Sequence, residues 1–199
     1  MTVAILCGGL GTRLRPLTDD MPKAMVPVAG IPFIEYQLGL LARQGIERVV
    51  LCTGYGSDQI AQYVGDGQRF GLDVAYSSDG DELLGTAGAI QKALPWLGPT
   101  FGVLYGDVYP SFDLRAIMDS FTYASVMRVR SRGQGNVRFE DGRVRAYERG
   151  GQFDYGDAGF SVLDADALRY HRFPTNDLGG VFTQLAYCVD CLHGYEVTE

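Results

Sequence analysis

Histidine and lysine are scarce in this chain: His171 and His193 are its only imidazoles, and Lys23 and Lys92 its only lysines, among 199 residues. Both histidines are read as structural. The four cysteines offer no metal centre either. Cys188 and Cys191 form a lone CxxC near His193, where zinc would require a second pair or well-spaced histidines, and no thioredoxin-like context surrounds them. They are read as inert thiols, as are Cys7 and Cys52, each of which ends an apolar run. No apolar stretch approaches the roughly 18 residues of a membrane span. The chain enters a strand at once, with no positively charged leader or cleavage site, so a cytoplasmic protein is expected. Basic runs and basic amphipathic helices are missing too. With a net charge of −7 and a pI near 4.8, this argues against nucleic acid or an anionic membrane as partner. Neither an internal repeat nor a low-complexity tract is visible.

What is present is apolar and aromatic material, 46% and 12% of the chain, enough for one compact domain over residues 1–199. The spacing predicts a strand at 3–6, a helix at 32–44 with Pro32 in its first turn and Gly45 past its end, and a strand at 47–53. Ile34, Leu38 and Leu41 form one stripe of that helix and Phe33, Tyr36 and Leu40 another, so burial on two sides is expected. Ser57 caps a helix running to Val64; then come a strand at 72–77, a helix at 85–94 ended by Pro95, and a strand at 100–105. This alternation predicts an α/β fold, a Rossmann-like, mostly parallel sheet flanked by helices. From residue 123 the rhythm changes to strands, at 123–130, 137–140 and 143–148, the last two joined by a turn at Asp141 and Gly142. A strand at 160–163 and a helix at 177–188 follow, the helix carrying Leu178, Val181, Phe182 and Leu185 on one face.

The chemistry is concentrated in VAILCGGLGTRLRPLTDDMPKAMVP, residues 3–27. An apolar strand stops at Gly8 and Gly9, and the bare backbone of Gly8, Gly9 and Gly11 leaves N–H groups that a phosphate chain can approach closely. Thr12 adds a hydroxyl, and Arg13 and Arg15 add fixed positive forks. The loop is not a dinucleotide fingerprint, because Leu14 stands where a third glycine belongs. Nor is it a P-loop, since Gly11 is followed by Thr12 and Arg13 rather than lysine and a hydroxyl residue. Pro16 and Pro22 keep the chain extended and bring back Lys23 as a second cation. Asp107, like the loop, follows a strand end, so both belong on one edge of the sheet, facing one crevice.

GGLGTRLRPLT followed by PKAMVPVAGIPFIEYQL resembles the signature of the sugar-1-phosphate nucleotidylyltransferase family. LLGTAGAI, YGDV, YER and DYGDAGFSVL extend the resemblance over most of the chain. It implies a nucleotide-diphospho-sugar transferase fold, with residues 1–120 as the nucleotide-binding half and 121–199 as a sugar-binding half built on a small mixed β region. The implied reaction joins a nucleoside triphosphate to a sugar 1-phosphate and releases pyrophosphate. Both reactants are anions and the attacking phosphate is largely dianionic at neutral pH, so positioning and charge neutralisation suffice and no histidine base is needed.

By the same resemblance Arg13, Lys23 and Asp107 are catalytic: Arg13 on the β- and γ-phosphates, Lys23 near the α-phosphate, Asp107 as ligand to Mg2+. An aspartate after a strand and a glycine serves equally well as a turn or cap residue; it is the resemblance that carries Asp107 to the metal. Asp113 is the better helix cap. Leu6, Gly8, Gly9, Leu10, Gly11 and Thr12, with Gly85, Thr86 and Ala87, are implied for the nucleotide. Glu148, Arg149, Tyr155, Asp157 and Gly159 are implied for the sugar phosphate, Arg149 standing where the family usually has lysine and Asp157 where many relatives have asparagine. Muramate-type uridylyltransferases and heptose-type guanylyltransferases are matched comparably, so the base stays open. A homo-oligomer is compatible with the sequence. The family usually continues into a strand and a DIGTPE-like segment bearing a further metal ligand, and the chain stops before it at Glu199. The alternative reading is a nucleotide- or nucleotide-sugar-binding module of the same fold without transferase activity.

Overall fold

The computed structural model of the chain describes residues 1–119, 125–170, 176–187 and 192–196. Its first half runs β1 (Thr2–Leu6), a small hairpin of β2 (Pro27–Val28) and β3 (Ile31–Pro32), α1 (Phe33–Arg43), β4 (Arg48–Thr53), α2 (Ser57–Val64), β5 (Asp73–Ser78), α3 (Gly85–Leu97) and β6 (Thr100–Tyr105). The second half runs α4 (Leu114–Asp119), β7 (Ser125–Gly135), β8 (Val137–Glu140), β9 (Arg143–Tyr147), β10 (Phe153–Asp164), α5 (Ala165–Tyr170), α6 (Leu178–Tyr187) and β11 (Leu192–Glu196).

Period-two alternation sets the layers. Val3 and Ile5 of β1 and Val49 and Leu51 of β4 enter one core, with Ile34, Leu38 and Leu41 of α1, Ile60 and Val64 of α2, and Leu114, Ile117 and Met118 of α4. Ala4, Val50 and Cys52 enter the other, with Ala87, Ile90 and Ala93 of α3, Leu168 of α5, and Val181, Phe182 and Leu185 of α6. Strands buried on both faces are what a parallel sheet between two helical layers requires. Nine strands form one sheet in the order β5-β4-β1-β6-β10-β7-β11-β9-β8. The first four are parallel to one another, and β10 then runs antiparallel to both β6 and β7. The mixed β region is therefore continuous with the parallel half through β10, and the only separate sheet among the described residues is the β2–β3 hairpin.

Several elements differ from expectation, each for a local reason. Ser57 is the first residue of α2 and not its cap: Gly56, at φ +66°, holds that position without a side-chain hydrogen bond. A Cβ there would stand 2.7 Å from Pro22 Cδ. Pro95 does not end α3, which continues to Leu97; burial of Leu97 draws the last turn onto the core, where a proline removes only one terminal hydrogen bond. β10 begins well before residue 160, because Tyr155, Gly156 and Asp157 pair with Ser131, Arg130 and Val129. β11 was not foreseen: Leu192–Glu196 pair in parallel with residues 125–129 of β7. The expected turn at Asp141 and Gly142 is present, with φ of +50° and +75°. Asp113 caps α4, its Oδ1 accepting from Ala116 N at 3.0 Å. Cys7 and Cys52 are free and buried, while Cys188, Cys191, His171 and the first two residues of the predicted 123–130 strand lie outside the described residues.

Candidate active site

The loop after β1 is shaped by close approach to the end of β4. Cys7 N donates to Cys52 O at 2.9 Å, which carries Gly8 against the next strand's exit; a Cβ on Gly8 would meet Gly54 N and Asp79 Oδ2, each at 3.3 Å. Gly11 needs its φ of +62° to start a 3-10 turn at Thr12–Leu14, and Thr18 Oγ1 fastens it by donating to Gly11 O at 2.9 Å. Gly9 differs: nothing lies within 4 Å of the Cβ it lacks. It faces open space among the described residues.

Lys23 begins a second 3-10 turn, Lys23–Met25, pinned by buried Ala24 in the core beneath α1. Its Nζ donates to Asp107 Oδ2 at 2.5 Å, with the two side chains 29% and 44% exposed. Asp107 is held from two directions. Gly106 N donates to Leu6 O at 3.0 Å, and Gln37, a fully buried polar residue of α1, donates from Nε2 to Tyr105 O at 2.9 Å and Val108 O at 2.7 Å. The helix thus grips the carbonyls on both sides of the carboxylate.

α3 closes the third wall. Gly85 adopts φ +72° with Asn176 O 2.4 Å from where a Cβ would stand, and Ala87 N donates to the same oxygen at 2.9 Å. Thr86 Oγ1 donates to Asp177 Oδ1 at 3.1 Å and accepts from Leu178 N at 2.8 Å. Together the three walls enclose a cavity of about 340 Å³. Leu6, Gly8, Gly9, Gly11, Thr12, Arg13, Lys23, Gly85, Thr86 and Asp107 all line it. Leu10 and Ala87 are outside that lining: Leu10 is exposed, and Ala87 is packed in the core beneath α3.

The residues implied for the sugar phosphate are not among those that line this cavity; Arg149 is joined to it through Asp177. Arg149, 88% exposed, pairs with Asp177 Oδ2 at 3.4 Å, and Asp177 is the residue that receives Thr86. Glu148 is exposed in the same loop, its carbonyl accepting from Gly151 N at 3.0 Å. Asp157 Oδ1 accepts from Gly159 N at 2.7 Å; Gly159, at φ +81°, leaves no room for a Cβ beside Val108. Tyr155 packs edge-on against Phe139 at 5.1 Å between ring centres. Tyr105, which lines the cavity, joins the two regions electrostatically: burial drives its hydroxyl far above its ordinary pKa, and the charges of Asp157, Asp177 and Asp107 add to the rise.

Sequence reasoning missed four residues of this site. Gln37 sits among apolar positions and gave no signal. Asp177 was read only as a helix start, and Tyr105 only as a strand end. Asp79 stands in Ser77-Ser78-Asp79-Gly80, which reads as a turn. In the structure it lines the cavity at 9% exposure.

The family model described as Nucleotidyl transferase matches residues 2–130. A D-glycero-alpha-D-manno-heptose 1-phosphate guanylyltransferase of Aneurinibacillus thermoaerophilus is 33% identical over 174 residues, 83% of this chain and 75% of that protein. An N-acetylmuramate alpha-1-phosphate uridylyltransferase of Neisseria meningitidis serogroup B is 41% identical over 58% of this chain. The chain spans about half or less of the first relatives it matches, 51% of that uridylyltransferase and 32% of a UTP–glucose-1-phosphate uridylyltransferase of Synechocystis. Among solved structures, HddC from Yersinia pseudotuberculosis superposes with a TM-score of 0.82 at 25% identity, covering 98% of this chain and 89% of that one. With the family model matching well over half of its length, the chain belongs to the nucleotidyl transferases, among the sugar-1-phosphate nucleotidylyltransferases.

Proposed function

We propose that the protein transfers a nucleoside monophosphate from a nucleoside triphosphate to a sugar 1-phosphate, giving a nucleoside-diphospho-sugar and pyrophosphate. The observation that carries this reading is the meeting of Lys23 and Asp107, 84 residues apart in sequence, at 2.5 Å in the cavity lined by the glycine loop. A site that only bound nucleotide would need the glycines and Arg13. A cation and a carboxylate brought together there supply what a phosphoryl-type displacement needs besides binding.

In this reading a non-bridging oxygen of the sugar 1-phosphate attacks the α-phosphorus. The bond from that phosphorus to the oxygen bridging to the β-phosphorus breaks, and pyrophosphate leaves with the electron pair. The attacking phosphate, with a second pKa of about 6, needs no base. Arg13 and the backbone of the glycine loop hold the leaving phosphates, Lys23 neutralises the α-phosphate, and Arg149 holds the sugar's phosphate. Asp107 is the residue that would hold magnesium. Magnesium takes few protein ligands and shares substrate phosphates, so a single carboxylate in the cavity of the glycine loop fits it. When bound, magnesium supplies neutralisation of charge on the phosphate oxygens.

The test is pyrophosphate release with magnesium across nucleoside triphosphates and sugar 1-phosphates. Release that requires one particular pair is expected. No release from any pair, with triphosphate still raising the melting temperature, would overturn the transferase reading in favour of a binding module.

A further inference from the structure

Lys23 reaches the cavity at the end of an excursion that leaves the glycine loop at Gly11 and runs over the surface; from residue 12 to residue 21 Thr18 alone is buried. The excursion closes on its own start: a Cβ on Gly11 would stand 2.9 Å from Thr18 Cγ2 and 3.1 Å from Lys23 Cβ. Internal bonds give it shape, Leu14 N donating to Gly11 O at 2.8 Å, Leu17 N to Leu14 O at 3.0 Å and Asp19 N to Pro16 O at 3.1 Å. They do not give it a place, since a loop closed on itself can tilt as one body about its ends. Its place comes from the junction of β4 and α2. The Tyr55 hydroxyl donates to Asp19 O at 2.5 Å and Gln59 Nε2 to Asp20 O at 3.0 Å, and buried Pro22 lies on Gly56. The same junction holds the glycine loop: Tyr55 N donates to Gly8 O at 3.4 Å, and a Cβ on Gly54 would stand 2.8 Å from that oxygen. Tyr55 thus bonds both parts, the loop through its backbone and the excursion through its phenol.

We propose that Tyr55, which does not line the cavity, is a positioning residue for the transfer: it fixes where Lys23 stands relative to the glycine loop. This inference rests on the reading of the cavity as a transferase site, in which the loop takes the leaving phosphates and Lys23 the α-phosphate. Both parts then act on one triphosphate, and a misplacement of about 1 Å between them is enough to cost up to about 100-fold in rate. Buried Ala24 anchors the chain just after Lys23, and Tyr55 anchors it just before. The bond from Lys23 Nζ to Asp107 cannot do this work, because the lysine gives it up on turning to phosphate. Folding alone asks little of the phenol. Asp19 is exposed, water serves such a carbonyl about as well, and a phenylalanine would pack the same ring.

The test is steady-state pyrophosphate release by the whole chain, on the pair of substrates it turns over fastest, in Tyr55→Phe, Lys23→Ala and the double variant. Tyr55→Phe loses only the hydroxyl. Its kcat should fall about 10-fold while KM for triphosphate stays within about 2-fold, and its melting temperature should fall by no more than about 4 °C. In the Lys23→Ala background the same change should lower kcat no further, because the residue that it positions is gone. A tyrosine with a structural role alone would lower kcat by the same factor in both backgrounds, and that result would overturn the proposal. So would an unchanged kcat in Tyr55→Phe, or a rise in KM without a fall in kcat. If Tyr55→Phe does not fold, Gln59→Ala cuts the neighbouring tether at an exposed side chain and should show the same dependence on Lys23; equal losses in the two backgrounds would again overturn the proposal. No release by the parent protein from any pair would overturn the transferase reading and this inference together, whereas release by the parent with equal losses in the two backgrounds would leave the transferase standing.

Discussion

At the scale of single residues, Arg13, Lys23 and Asp107 were singled out from the sequence and line the cavity, whereas Gln37, Asp79, Tyr105 and Asp177 were not singled out. Arg13 stands in the loop after β1, Lys23 follows Pro22 and Asp107 follows Gly106 at the exit of β6; it was the resemblance, more than the local setting, that singled them out. In the proposed reaction Lys23 acts on the α-phosphate, so in Lys23→Ala kcat should fall about 100-fold or more while KM for triphosphate changes far less. A KM effect larger than the kcat effect in steady-state kinetics would make Lys23 a ground-state binder. Asp79 was hidden because turn chemistry explained it adequately. Its environment makes a separate prediction. Burial raises its carboxyl above the ordinary value of 3.8, with Leu84 N–H and Lys92 acting the other way. The folded state therefore holds a proton that the unfolded state has lost, over the window between 3.8 and the raised folded value. Stability falls as pH rises through that window, and the penalty persists above it. Ligand-free Asp79→Asn should accordingly melt higher than the parent near neutral pH, the difference shrinking as the pH drops toward 4. Parallel melting curves across that range would mean that the carboxyl is not desolvated.

At the scale of elements, alternation carried most of the fold. Val3 and Ile5 against Ala4, and Val49 and Leu51 against Val50, announce strands covered on both faces, and the helices of the parallel half were found within a few residues. The failures share a cause: tertiary burial overrode a local signal. Leu97 pulls α3 past Pro95, and pairing with β7 extends β10 through Asp157 and Gly156, where composition suggests a loop. α1 shows the same limit from the functional side. Its apolar stripe was read correctly, yet Gln37 within the buried surface fixes the loop that carries Asp107. Gln37→Leu should cost about 2 kcal/mol by depriving two carbonyls of their donor, and should lower kcat more than it raises KM. Urea denaturation and steady-state kinetics check the two halves of this statement. Loss of stability with unchanged kcat would confine Gln37 to the core.

At the scale of the whole molecule, β10 matters most, because it bonds to the parallel half through β6 and to the mixed half through β7. The elements that carry the residues implied for nucleotide and for sugar phosphate are thus joined by one continuous sheet, and the Thr86–Asp177–Arg149 chain ties them a second time. Unfolding should be shared. The single tryptophan, Trp96 in α3, reports on the parallel half, while far-UV circular dichroism reports on all strands and helices. The two urea transitions are expected to coincide, and separated midpoints would show two cooperative units.

The pairing of Lys23 with Asp107 also bears on how such a protein would respond to its surroundings. Before substrate arrives, the carboxylate that would ligate magnesium is already matched by an ammonium group, so a free divalent ion must compete for it. A triphosphate carrying its own ion resolves the competition by giving the lysine a phosphate in exchange. Turnover at fixed total nucleotide should then track the fraction of nucleotide already complexed with magnesium, and ion added beyond saturation of the nucleotide should bring no further gain. Such a protein would sense the ion second-hand, through the nucleotide pool, and swings in free magnesium that leave that pool saturated would pass it by.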